Sequence, residues 1–552
     1  MSIQVPIRTH ETPSPPDTAR LVSRVRWDAF QRRLRLHLRL ALGLLPNLPP
    51  APLRPLRCES YRGEGFHIER FALETLPNFY LTGSLFVPET PAGRRAPAML
   101  QPHGHFEQGR LNEPDIRRAV ALAQAGVYVL QYDMLGYNDL FQLPHAGAEP
   151  LAWRRWGFSR AGLQTWNSLC ALEWLRRLRG IDPRRIGCNG ISGGGTQTFL
   201  LSAVEPRLSC AAPVKMVSSI MQGGCLCENA PLLRLFAGNP EIAALTAPRP
   251  MLLISDSGDW TRDNPTVVAP YLQRVYALHD AETQFTHAHY EEGHQWGAAP
   301  RSAFYEWLAQ LWRLPRVPQD PRLDGQSLTP ALRVWGDKLP QPNDAPTGEA
   351  VFRLYRAQAQ AAVRRWRRTV RFESEARAAL LGMLGLERIE DALGEPMPEP
   401  WREALHADPT TRCAIVFGAV DARRWQRERY TVLRLPELNR SPQEPHYAYF
   451  ATYNPTPDAA CARAILSLLL RLRPRATQLQ VAAQGEWAIL CALACAIAQI
   501  PLNATNIPET ESLDLPCYDR IGGWKTLQAL IPRISSPDFK VQYITRCARA
   551  IR

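Results

Sequence analysis

The chain has 552 residues, 45% of them hydrophobic and 21% charged; this is globular composition, and more chain than one ordinary core holds, so two domains are expected. The formal charge is +13, and of the 65 basic residues only Lys215, Lys338, Lys525 and Lys540 are lysine. The arginines are scattered rather than gathered into a stripe with interleaved aromatics, which argues against a nucleic-acid partner and for a solvated, Arg-rich surface whose field attracts acidic substrates or polymers.

The opening segment MSIQVPIRTHETPSPPD has no apolar core and no cleavage site of the secretory kind. A cytoplasmic location is therefore expected, with the twelve cysteines as reduced thiols. Residues 1–17 are rich in Pro and Thr and are expected to be disordered. Ala19 to Leu45 contains no proline and its length suits a helix, although Arg33 to Leu40 alternates with period two. Packing against the following domain is the favoured reading, and a basic amphipathic membrane-surface helix the alternative. A Pro-rich connector, Pro46 to Pro55, follows.

From Gly65 the rhythm changes. Phe66 to Leu73 and Phe79 to Val87 read as strands around a turn at Pro77-Asn78. Apolar runs at Ala98–Gln101, Val127–Tyr132, Arg185–Asn189, Ala211–Val217, Met251–Ser255 and Gln284–Tyr290 then alternate with helical patterns at 113–125, 160–179, 195–204, 265–279 and 300–313. Such alternation predicts an α/β fold with a mainly parallel, doubly wound sheet. Residues 315–350, rich in Pro, Asp and Gly, read as a linker. The predicted organisation is a tail and helix over 1–60, a catalytic domain over 61–314, the linker, and a smaller α/β unit over 351–552.

The second unit echoes the first. A helix is expected over Val351–Leu384, and strands at Ala414–Phe417, Tyr430–Leu435, Tyr447–Thr452 and Gln478–Ala482. HYAYFATYNP (446–455) resembles GVYVLQYDMLGYN (126–138), and QLQVAAQGEWAILCALA (478–494) lies where the first copy has RRIGCNGISGGGTQTFLLSA (184–203). Superposing the two turns puts Gly485 in the place of Ser192, so this copy lacks a nucleophile there. The longest apolar run, Trp487 to Leu502, contains Gln499 and Pro501 and is short for a membrane span.

Gly190-Ile191-Ser192-Gly193-Gly194 fits G-x-S-x-G between a predicted strand and a predicted helix. A sharp strand–turn–helix lifts such a serine clear of the sheet in a strained conformation, and the new helix N-terminus favours an anionic intermediate. In chain order the nucleophile should be followed by an acid and then a histidine, each past a strand end. Asp259 stands four residues past Ser255, with Asp256 as runner-up and Asp263 as a turn or cap residue. His294 follows the last strand in Glu291-Glu292-Gly293-His294. Ser192, Asp259 and His294 are the expected catalytic residues, with His294 as general base and Asp259 fixing its tautomer. The oxyanion hole needs two backbone amides; these are assigned to Gly193 and to His105 of Gln101-Pro102-His103-Gly104-His105-Phe106, with Phe106 as alternative.

Other residues carry blander readings. His103-x-His105 and His287-x-His289 could hold a metal, but no thiolate or acid stands at ligand spacing beside them, so loop-shaping and strand-edge roles are favoured. Cys225-Leu226-Cys227 could be redox-active or half a metal site; shaping of a pocket loop, Ser219–Leu245, is preferred. Of Trp153, Trp156, Trp166, Trp260 and Trp296, most are assigned to the core, while Trp260 and Trp296 join Phe106 and Gln222 as pocket candidates. No metal and no organic cofactor are called for.

Several long stretches look familiar: QYDMLGYND (131–139), AGLQTWNSLCALEWL (161–175), GISGGGTQTFLL (190–201), MQGGCLCENAP (221–231), IAALTAPRPMLLISDSGDWT (242–261) and Gly293-His294. They resemble the bacterial acetyl xylan esterase-like α/β-hydrolases, a dienelactone-hydrolase-like branch, over roughly residues 60–314. The resemblance implies an α/β-hydrolase fold, the same three catalytic residues, and often a degenerate hydrolase-like C-terminal extension. The expected activity is hydrolysis of a carboxylic ester, a short acyl group on a small molecule or carbohydrate, through an acyl-enzyme. A peptidase or amidase using the same residues is the alternative, and a non-catalytic scaffold is the competing reading from another class. Lactone hydrolysis is disfavoured because that branch usually carries Cys where Ser192 stands. The C-terminal unit is expected to cap the site, bind a polymer or make a homo-oligomer.

Overall fold

A computed structural model describes residues 7–90, 95–322, 325–406, 412–436, 449–505, 507 and 512–532. The chain forms two compact units, the larger comprising Ile7–Thr369 with Pro445–Asn454, the smaller most of the remainder from Val370 onward.

The larger unit is built on a nine-stranded sheet: β1 (Pro55–Gly63), β2 (Phe66–Leu76), β3 (Phe79–Pro88), β4 (Ala96–Pro102), β5 (Tyr128–Tyr132), β6 (Ile181–Ile191), β7 (Cys210–Val214), β8 (Met251–Asp256) and β9 (Phe285–Tyr290). Their spatial order is β1-β2-β3-β5-β4-β6-β7-β8-β9. The first three pair antiparallel, and β3 meets β5 the same way; from β5 to β9 every pairing is parallel. The central strands β4 and β7 are buried along their whole length, as strands covered on both faces must be. One covering layer contains the helix Arg160–Arg177, whose Leu172 and Leu175 join Phe71, Leu130 and Ile186 in a core. The other contains Glu113–Gln124 and Ala298–Trp312, packed with Val129, Ile191 and Ile254.

The helix Gly193–Val204 is buried at every residue, so its last carbonyls need partners from the protein. They find them on the N-terminal helix Arg24–Ala41, where Arg35 Nε donates to Ala203 O at 2.9 Å and Arg39 Nη1 to Val204 O at 3.4 Å. That helix buries Trp27, Phe30, Leu34 and Leu38, which resolves the period-two ambiguity in favour of a packed helix.

Several expectations are corrected. Residues 7–17 are ordered onto the unit: Ser14 N donates to Ser219 O at 2.6 Å, and Asp17 N to Glu241 Oε1 at 3.0 Å. β1, which begins where the predicted connector ends at Pro55, was not expected as a strand, because its residues alternate between half-buried and exposed and carry little apolar signal. The stretch read as a linker instead packs into the unit, with Leu328, Leu332 and Val334 buried. The helix Glu349–Trp366 belongs to the same core through Val351, Phe352 and Tyr355, so the boundary falls after Thr369, not near residue 350. The solvated-arginine reading fails for Arg110, Arg118, Arg160 and Arg234, all essentially buried. Arg110, for example, clamps Asp133 at 2.8 Å and Asp139 at 2.9 Å.

The smaller unit carries β10 (Arg412–Phe417), β11 (Thr431–Leu435), β12 (Gln478–Gln484) and β13 (Leu502–Thr505) in the order β11-β10-β12-β13, all parallel. Between β12 and the buried helix Glu486–Ala498, Gly485 turns the chain at φ 65°, ψ −145°. This supports the predicted echo of the Ser192 turn. The other half of the echo does not hold. Residues 446–448 lie outside the described residues, and Phe450–Tyr453 is a short helix belonging to the larger unit. The apolar run beginning at Trp487 is this unit's core helix, and among the described residues no helix is long and apolar enough to cross a membrane.

Candidate active site

The residues singled out around Ser192 converge at the C-terminal ends of the parallel strands, where open α/β sheets place their ligand crevice. β6 ends at Ile191, and Ser192 turns the chain into the next helix at φ 58°, ψ −126°. Such a conformation is costly for a residue with a side chain and persists only where its surroundings enforce it. Glycine surrounds the turn because nothing larger fits. A Cβ on Gly194 would lie 2.4 Å from Pro102 O, and one on Gly190 2.6 Å from the same atom. The first helical N–H groups, beginning at Gly193, have no intrahelical acceptor. His105, past the end of β4, lies against Gly193, since a Cβ there would meet its ring at 2.6 Å. The two residues assigned to the oxyanion hole are thus neighbours.

His294 Nδ1 lies 2.9 Å from Asp259 Oδ2, and the carboxylate is 1% exposed. The other oxygen, Oδ1, accepts from Thr261 N at 2.7 Å and Thr261 Oγ1 at 2.5 Å. His294 Nε2 is buried without a hydrogen-bond partner, and no hydrogen bond joins it to Ser192. Trp260 packs on the His294 ring at 4.3 Å between centroids.

Asp256, the runner-up acid, does something else. It is buried against Lys215 Nζ at 2.8 Å, and both side chains are fully buried. Its oxygens also accept from Gly258 N (2.8 Å), Glu292 N (3.0 Å) and Gly293 N (2.9 Å). Burial opposes ionisation here, but Lys215 and these N–H groups outweigh it and hold the carboxyl below the usual range. Lys215 Nζ also donates to Gly293 O at 2.5 Å. The pair is therefore an internal brace for the loop that carries His294.

The remaining sequence candidates divide. Phe106 is half-buried beside the Gly104 turn. Gln222 is buried and fully engaged within its loop, donating to Ser218 O and accepting from Asn239 N. Trp296, just before the N-cap of the helix Ala298–Trp312, lies in the core with Phe304, under the Arg118 guanidinium. His103 shapes its loop: Nδ1 lies 2.7 Å from Gly104 O, and Nε2 accepts from Met134 N at 3.0 Å. Burial pushes it down to about 3, so it stays neutral. His287 and His289 share Ser255 at the strand edge.

One grouping was missed. His105, His145, Cys225 and Cys227 come together with their ligand atoms all within 4.8 Å of one another. His105 Nε2 is 2.9 Å from Cys227 Sγ, and His145 Nε2 is 3.1 Å from Cys225 Sγ. Of the two thiols, Cys225 is the more acidic. Hydrogen bonding from Cys227 foremost, then from His105 and His145, pulls it far down against the cost of burial; Cys227 is pushed up by that burial. The Cys-x-Cys and His-x-His pairs were visible in the sequence, but His145 sits alone in a loop 80 residues from Cys225, with no local signal to join them.

Comparison with known proteins agrees with this architecture. No family model matches the chain. The solved structure of Methylesterase BT1017 superposes with a TM-score of 0.54 at 29% sequence identity, covering 65% of this chain and 82% of that one. The chain therefore has the α/β-hydrolase fold and is similar to this methylesterase. An acetyl xylan esterase from Paenibacillus sp. R4 aligns over 54% of this chain and 97% of its own at 16% identity and a TM-score of 0.36, too distant to add weight. A 4-O-methyl-glucuronoyl methylesterase from Podospora anserina is 34% identical over 77 residues. That match spans only 14% of either protein.

Proposed function

We propose that this esterase-like hydrolase cleaves a carboxylic ester carried by a carbohydrate, through an acyl-enzyme on Ser192. The observation that carries the reading is the state of His294. Its Nδ1 is tied to the buried Asp259 carboxylate, which leaves the Nε2 lone pair available as a base, and the strained Ser192 turn stands at the same end of the parallel sheet. In the first half-reaction Ser192 Oγ attacks the ester carbonyl and its proton passes to Nε2. The amides of Gly193 and His105 stabilise the oxyanion, and the alcohol leaves with the proton from His294. Water then gives a proton to Nε2 and attacks the acyl-enzyme; collapse returns the proton to Ser192 and releases the acid.

The likeness to a methylesterase supports ester over amide, and small-group esters in particular. Two substrate arrangements fit: an acetyl group on a sugar hydroxyl, or a methyl group on a sugar acid. The test pairs an acetylated sugar and a methyl uronate with p-nitrophenyl acetate through octanoate, using wild type and Ser192→Ala. Turnover of an ester by wild type that vanishes in the folded variant is expected, and preference between the two sugar esters identifies which side of the bond the sugar occupies. Ser192→Ala retaining more than a small residual rate, or wild type cleaving amides but no ester, would overturn the proposal.

A further inference from the structure

We propose that His105, His145, Cys225 and Cys227 form a tetrahedral site for a thiolate-seeking divalent ion of the zinc type, next to the Ser192 turn. The inference does not depend on the ester reading. Two sulfurs and two imidazole nitrogens are the donor set that such an ion takes in closed structural sites. Ligand bonds of that kind imply tetrahedron edges of about 3.3–3.8 Å. Here the His105–Cys227 and His145–Cys225 edges are 2.9 and 3.1 Å and no edge exceeds 4.8 Å, so edge changes of up to about 1 Å would centre an ion.

The surroundings are also those of a metal site. His145 Nδ1 lies 2.9 Å from Leu135 O. Donating its proton there presents the Nε2 lone pair to the cluster, as the outer partners of metal-bound histidines do. The Cys225–Cys227 loop is pinned from outside the cluster. Glu228 Oε1 accepts from Thr196 Oγ1 at 2.7 Å, on the Ser192 helix, and its Oε2 accepts from Gly224 N at 3.0 Å. Arg234 Nη1 donates to Glu228 O at 2.7 Å. All four ligands belong to the larger unit, and they come from three separate loops.

Charge balances as well. Two thiolates and two neutral imidazoles around a divalent ion sum to zero, which suits a largely buried position. Both sulfurs bind as thiolates, so binding releases protons and affinity falls as pH falls. Four protein ligands leave no open coordination position, so the ion would be structural: it ties the loop after β4, whose His105 packs on Gly193, to the Cys-x-Cys loop.

The test uses the full chain. After chelator treatment and dialysis, zinc uptake is measured by elemental analysis, and cobalt(II) is added separately to follow the thiolate-to-metal charge-transfer band. About one zinc per chain and a tetrahedral cobalt spectrum are expected, with both reduced at least tenfold in Cys225→Ser and His145→Gln and unchanged in Cys170→Ser. Should those variants fold poorly, alkylation of the native wild-type chain decides: zinc should shield the half-exposed Cys225. No zinc uptake by wild type, a cobalt spectrum without the thiolate band, or alkylation of Cys225 unaffected by zinc would each overturn the proposal.

Discussion

Replacing Asp259 by asparagine should inactivate the protein without unfolding it, and the structure says why. Asp259 Oδ1 receives two protons, from Thr261 N and Thr261 Oγ1. The hydroxyl has little choice, because Thr261 Oγ1 itself accepts from Asp256 N at 2.9 Å. An asparagine must therefore put its carbonyl oxygen toward Thr261 and its NH2 toward His294. Facing a donor, Nδ1 must accept, and the imidazole proton moves to Nε2, where the base is needed. The opposite amide orientation would forfeit two hydrogen bonds worth roughly 1 kcal/mol each and leave donor against donor. A wrong tautomer of this kind lowers kcat about 10^4-fold, equivalent to about 5.4 kcal/mol of barrier. The assay is p-nitrophenyl ester turnover for Asp259→Asn and Asp256→Asn, with far-ultraviolet circular dichroism as the fold control. A kcat for Asp259→Asn within tenfold of wild type would refute the assignment of Asp259 as the residue that sets the His294 tautomer.

Three further outcomes follow from the geometry. Lys215→Met strands the buried Asp256 carboxylate and should cost about 3–5 kcal/mol in urea unfolding; a loss under 1 kcal/mol would show that the brace carries no weight. Gly194→Ala drives a methyl group to 2.4 Å from Pro102 O and should cost at least roughly 1–3 kcal/mol while lowering ester turnover, read by melting and kinetics together. His37 is buried, 5% exposed, with Nε2 2.8 Å from Leu232 O, and burial pushes it down to about 4. An imidazole kept neutral in the fold contributes stability that is full above its unfolded value near 6.5 and lost as pH falls from there toward 4. Unfolding free energy should therefore be lower at pH 5 than at pH 7.5, and His37→Leu should remove about 2 kcal/mol of that difference. An unchanged difference would contradict a neutral buried His37.

Local chemistry made much of the larger unit legible. Strand–helix alternation read from residue 66 onward placed β2 to β9 within a few residues of their observed ends, most clearly for β4, β5, β7 and β8, because buried parallel strands are continuous apolar runs. The Ser192 turn was readable for the same reason. A left-handed backbone between glycines is a local requirement, and Gly485 repeats it at φ 65°. β1, half-exposed at a sheet edge, had no such run to betray it, and Leu328, Leu332 and Val334 in a Pro-rich stretch looked like linker because burial there comes from distant strands.

By itself the sequence determined the chain order of Ser192, Asp259 and His294 and the turns that present them, since short-range backbone preferences and apolar periodicity are written residue by residue. Only the tertiary structure decided which aspartate faces His294, because Asp256 and Asp259 differ by three positions and are separated by Lys215 and Thr261, partners supplied by folding. Tertiary structure also gathered His145 with His105 and the two cysteines. Such a cluster has no local signature; it exists because three loops leave the same end of one parallel sheet.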